Sequence, residues 1–83
     1  MANSTYNTIN TLSRISVKPR LWSVTQIMGL YQIQATYVWP ECGDWFTVDT
    51  ARGQVKQYKS ISAVMSDIFR VDLHPVISFD LEG

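Results

Sequence analysis

The chain has a single cysteine, Cys42, which excludes an internal disulfide and a thiolate zinc cluster. One lone thiol suits a reducing compartment, so a cytoplasmic location is the expectation. The chain also lacks an excess of either charge, because seven Lys and Arg residues offset seven Asp and Glu. Zero net charge withholds the positive field that phosphate binding normally requires. It also leaves association with another protein chain, or with a second copy, free of long-range repulsion. No apolar run approaches the ~20 residues of a membrane-spanning helix. Residues 1–11, MANSTYNTINT, have neither the cationic start nor the apolar stretch of a signal peptide.

Chemical motifs are scarce too. Neither G-x-G-x-x-G nor G-x-x-x-x-G-K-[ST] occurs, so no nucleotide cofactor is expected. Glu41, Cys42, Asp44 and His74 carry donor atoms, but not at the spacing of a zinc or calcium loop. A nucleophilic Cys42 would need a nearby base or cation. It has Glu41 and Asp44 instead, which disfavour a thiolate, while His74 lies far off in sequence before Pro75. The remaining carboxylates are dispersed. The chain is therefore expected to be no enzyme, with no cofactor and no metal.

What is present is apolar and aromatic. Of 83 residues, 46% are hydrophobic, with three Trp, four Tyr and three Phe, enough for one modest core and too few for two. The polar, uncharged residues 1–11 predict a flexible tail, followed by a single α+β domain over 12–83. Between Leu12 and Arg20 the only charges are Arg14, Lys18 and Arg20, a short basic arm. In WSVTQIMG, residues 22–29, Ser23 and Gln26 form a capping box and Gly29 sits where a helix would stop. A short helix over about 24–28 is the expectation. The β-branched Val24, Thr25 and Ile27 make a strand the alternative.

Period-two alternation predicts a three-stranded antiparallel meander over about 31–39, 44–49 and 54–59. PECG and TARG join these strands, and the glycine closing each loop reaches a left-handed conformation without penalty. Two four-residue loops set Tyr37 opposite Phe46, Ala35 opposite Val48, Val48 opposite Val55 and Trp45 opposite Tyr58. Ile33, Ala35, Tyr37, Trp39, Phe46, Val48 and Val55 then share one face. In SISAVMSDIFR, Ser60 caps an amphipathic helix over about 61–70 that packs on that face, with Asp67 and Arg70 turned to water. A final strand is expected over about 76–81, with Ile77, Phe79 and Leu81 facing one way. A right-handed crossover would set it parallel to the third strand; lying beside the first strand is the alternative.

The expected functional surface is the other sheet face. Val38, Trp45 and Tyr58 should cluster there with Lys56 alongside and Arg52 at the rim, because aromatics and arginine anchor protein interfaces. The sequence thus points to a non-enzymatic module that binds another protein chain or itself. The alternative is a small nucleic-acid-binding regulator, using the same face to stack bases and Arg14, Lys18 and Arg20 to hold phosphates.

Overall fold

A computed structural model of the chain describes residues 7–38 and 42–82. Two helices, α1 (Ile9–Arg14) and α2 (Ile61–Val71), accompany four strands: β1 (Leu21–Ile27), β2 (Leu30–Thr36), β3 (Trp45–Thr47) and β4 (Ile77–Asp80). The strands form one mixed sheet in the order β3-β2-β1-β4, with β4 parallel to β1 and the other pairs antiparallel. This is the α+β domain that the hydrophobic patterning predicts. The details of the meander differ.

The expected helix at 24–28 is strand β1. Its three β-branched residues outweigh the capping box, and Trp22 and Val24 enter the core where they pair with Ala35 and Ile33. Gly29 does not stop a helix. With Met28 it forms a two-residue hairpin turn, with φ of 53° at Met28 and 82° at Gly29. Both central residues at positive φ match the twist of the flanking strands. The N–H groups of Met28 and Gly29 each donate to the Glu82 carboxylate at 3.0 Å, so Glu82 clamps the turn.

Strand β2 ends at Thr36 and does not reach 39, because the Thr36 hydroxyl turns the chain. It accepts from Val38 N–H at 3.2 Å and donates to Val38 C=O at 3.4 Å. Trp39, Pro40 and Glu41, and with them the helix-side placement of Trp39, lie outside the described residues. Ala35 faces Phe46 and Thr36 faces Trp45, two residues away from the expected register. A slip of two leaves every side chain on its expected face, so Ala35, Phe46 and Val48 still face the helices. The loop glycines behave as predicted, with φ of 77° at Gly43 and 82° at Gly53.

The third expected strand, 54–59, is reduced to two isolated bridges, Asp49 with Val55 and Tyr58 with Tyr31. Val48 donates to Ile33 C=O, and ten residues later Tyr58 exchanges both backbone bonds with Tyr31, only two residues along β2. The edge that β3 begins is therefore interrupted by an eight-residue excursion and resumes at Tyr58. Tyr58 consequently stands on the helix side of the sheet, and the expected pairing of Trp45 with Tyr58 does not form. The last strand takes the place beside β1, at the opposite edge of the sheet.

Both helices lie on one face. Ile9 and Leu12 of α1 and Val64, Ile68 and Val71 of α2 close over Trp22, Val24, Ile33, Ala35, Val48 and Tyr58. Ile9 to Thr11, expected within a flexible tail, belong to α1, and Ile9 is core; residues 1–6 lie outside the described part. Thr8 caps α1 by accepting from Thr11 N–H, and Ser60 caps α2 by accepting from Ala63 N–H.

Candidate functional site

The residues expected to form one surface separate into two places. Tyr58 is only 5% exposed and belongs to the core. Its hydroxyl donates to Asp67 Oδ2 at 2.7 Å, and Lys56 Nζ lies 2.8 Å from the same oxygen. The Lys56 ammonium also sits 5.1 Å from the centre of the Tyr58 ring, and Arg70 Nη1 reaches Asp67 Oδ1 at 3.8 Å. Burial first, and the adjacent Asp67 carboxylate second, push the Tyr58 phenol well above its ordinary pKa. Asp67, expected to face water, is the hub that ties α2 to the returning edge. Tyr58 and Lys56 therefore hold the fold together at this point and offer no aromatic docking surface. The spacing Lys56–Tyr58–Asp67 carries no periodic signal, which is why the sequence did not reveal it.

Beside this hub lies a cleft of about 280 Å³, lined among others by Thr8, Asn10, Asp49, Thr50, Lys56 and Arg70. Its charged groups already have partners in the chain. Arg70 Nη2 donates to Asn10 Oδ1 at 2.7 Å, Asn7 N–H donates to Asp49 Oδ2 at 3.1 Å, and Lys56 is held by Asp67. The cleft marks where α1, α2 and the excursion meet.

Trp45 and Val38 lie elsewhere. Trp45 opposes Thr36, which also opposes Leu21 of β1, so these three residues cross the sheet on the face away from the helices. Thr36 is fully buried, Trp45 is half-buried and Val38 is exposed just beyond the end of β2. Ser23, Thr25, Gln32, Gln34 and Thr47 continue this face, as strand alternation and the register require. Among the described residues no helix or strand is layered over it. The face is thus largely polar, with the indole of Trp45 as its large aromatic group. At the same end of the sheet, on the helix side, Tyr37 and Phe46 stack with centroids 5.5 Å apart and an interplanar angle of 21°. Burial also raises the Tyr37 phenol pKa.

The basic residues are scattered by comparison. Arg14 ends α1 and is exposed. Lys18 Nζ donates to the Ile15 carbonyl at 2.8 Å and to the Ser13 carbonyl at 3.4 Å, where it caps the end of α1. Arg20 N–H donates to Thr36 C=O at 2.7 Å, which brings Arg20 to the Trp45 end of the sheet. Arg52 lies in the exposed turn of the excursion, its N–H donating to Thr50 Oγ1. Cys42 is a free, exposed thiol, and His74 is exposed in the α2–β4 connection. Among the described residues, no three His, Cys, Asp or Glu side chains gather to hold a metal ion. No helix among them is long and apolar enough to cross a membrane.

Comparison with protein-family models, with curated proteins and with solved structures finds no match to this chain.

Proposed function

We propose that the chain is a non-enzymatic interaction module that docks another protein on the open face of its sheet, with Trp45 as the anchor. One observation carries this reading: both helices lie on the same face, and no described element covers the other. A half-buried tryptophan on a sheet face of Gln, Thr and Ser side chains has the composition of an interface with an aromatic centre and a polar surround. The partner would present hydrogen-bonding groups to Gln32, Gln34 and Thr47 and a recess for the indole.

The test uses Trp45→Ala against the wild-type chain, with a purified partner in calorimetric titration. An anchor tryptophan should cost about 2 kcal/mol or more, which is affinity reduced roughly 30-fold, while the thermal midpoint stays within a few degrees. Unchanged affinity would remove Trp45 from the interface. Unfolding of the variant would show that the indole is part of the fold.

A second reading, a nucleic-acid-binding regulator, is favoured by one feature. The Arg20–Thr36 backbone bond brings Arg20 to the end of the sheet that carries Trp45. Zero net charge and the capping role of Lys18 count against it. A gel shift with single-stranded oligonucleotides at low salt separates the two. A shift weakened by Trp45→Ala and by Arg20→Ala supports the second reading, and its absence removes it.

A further inference from the structure

We infer that β4 is a self-pairing edge, through which two copies of the chain join their sheets into one. Trp22 N–H donates to Val76 C=O, and Trp22 stands beside Ile77 in the parallel ladder. In such a ladder the even-numbered residues of β4 turn their N–H and C=O groups towards β1, and the odd-numbered ones turn theirs away. The backbone groups of Ile77, Phe79 and, by continuation, Leu81 therefore point outward, and no described strand pairs with them.

The side chains add to this. Phe79 stands beside Val24, which is fully buried, yet Phe79 itself is 48% exposed, and Leu81 is similarly open. Helix α2 packs mainly over β2, in the middle of the sheet, and although Ile77 packs partly against the core, Phe79 stays half-exposed. From Val71 to Glu82 there is no Lys or Arg, the residues that commonly protect an open edge from pairing. Nor does net charge oppose approach of a second copy.

One occupant fits better than others because the strand is complementary to itself. An antiparallel pair centred on Phe79 sets Phe79 against its own copy and Ile77 against Leu81 on both sides of the axis. All the outward backbone groups of these three residues are then used, and their apolar side chains form one continuous row on the helix side. On the reverse side Asp80 meets Ser78, whose hydroxyl can donate to it, so the two Asp80 carboxylates do not oppose each other. A pairing shifted by one residue towards Pro75 would set Leu81 against a residue with no N–H. Glu82 stays occupied by the Met28 and Gly29 amides.

Sedimentation equilibrium of the wild-type chain up to roughly 1 mM, with Phe79→Lys as the comparison, tests the inference. The wild type should shift from the 9.5 kDa chain mass towards twice that value with concentration. Phe79→Lys should weaken the association at least tenfold with the circular dichroism unchanged. If Phe79→Lys does not fold, Phe79→Cys in a Cys42→Ser background takes its place. Facing Phe79 positions in a hydrogen-bonded antiparallel pair are about 5.5 Å apart between Cα atoms, within disulfide reach. The folded variant should cross-link to a covalent dimer at least tenfold faster than the wild type does through Cys42. A wild type that stays at the single-chain mass throughout overturns the inference. So does a dimer that survives Phe79→Lys, or a folded Phe79→Cys variant that fails to cross-link.

Discussion

At the scale of single residues, Met28 is the position where sequence and backbone disagree most. It is 88% exposed and holds a φ of 53°, so it bears the steric cost of a left-handed residue without burying its side chain. Asparagine tolerates this conformation better and forms the favoured pair with a following glycine in such turns. Met28→Asn is expected to stabilise the fold by about 1 kcal/mol, read as a higher midpoint in urea unfolding. Tyr58 gives a prediction of opposite sign. Its phenol pKa is raised in the folded chain, so the resulting stability is present below the ordinary tyrosine pKa and is lost as pH rises beyond it. In an alkaline absorbance titration Tyr58 should ionise only together with loss of the folded circular dichroism. Tyr58→Phe should remove that coupled step.

At the scale of elements, helix α2 was legible in the sequence almost to the residue, and its cap also. Apolar residues at 61, 64, 65 and 68 follow the helical period, and Ser60 accepts the Ala63 N–H at 3.1 Å. Ser60→Ala should cost about 1 kcal/mol, measured by chemical denaturation. What the helical period could not reveal is the role of Asp67. Position 67 lies off the apolar stripe, but the excursion between β3 and Tyr58 brings Lys56 and Tyr58 against it. Asp67→Ala leaves the buried Tyr58 hydroxyl without its acceptor and Lys56 without its partner. The expected loss is roughly 2–3 kcal/mol in urea unfolding, larger than that of Tyr58→Phe. The two losses should not add, since they remove the same hydrogen bond.

At the scale of the whole molecule, a small domain depends on every piece of apolar cover. Helix α1 has six residues, too few to be stable alone, and is held by Ile9 and Leu12 in the core. Leu12→Ala is expected to cost about 2–5 kcal/mol, a large share of the total for a domain of this size, and to lower the midpoint of a cooperative unfolding transition. A comparable loss on Ile9→Ala would show that the domain starts before residue 12, where composition alone had drawn its boundary. Residues 1–11 read as a polar tail because Ile9 only has meaning once Leu12 is seen on the same helical face.

The sequence by itself determined the alternation of β2, the amphipathic helix, the left-handed glycines and the α+β class. Each of these follows from periodicity or backbone conformation within a few residues. It also assigned the faces of β2 and β3 correctly despite a register two residues away, because side-chain direction depends only on parity. Tertiary structure decided whatever depended on distant segments. It turned 22–27 from helix to strand by giving its apolar residues a sheet to join. It carried Tyr58 from the expected docking face into the core by inserting eight residues into an edge. It set β4 beside β1, with Phe79 half in the open. Trp45 remained on the face the local pattern had given it, because its position depends on the short β2–β3 pairing, whereas that of Tyr58 depends on where a long excursion returns.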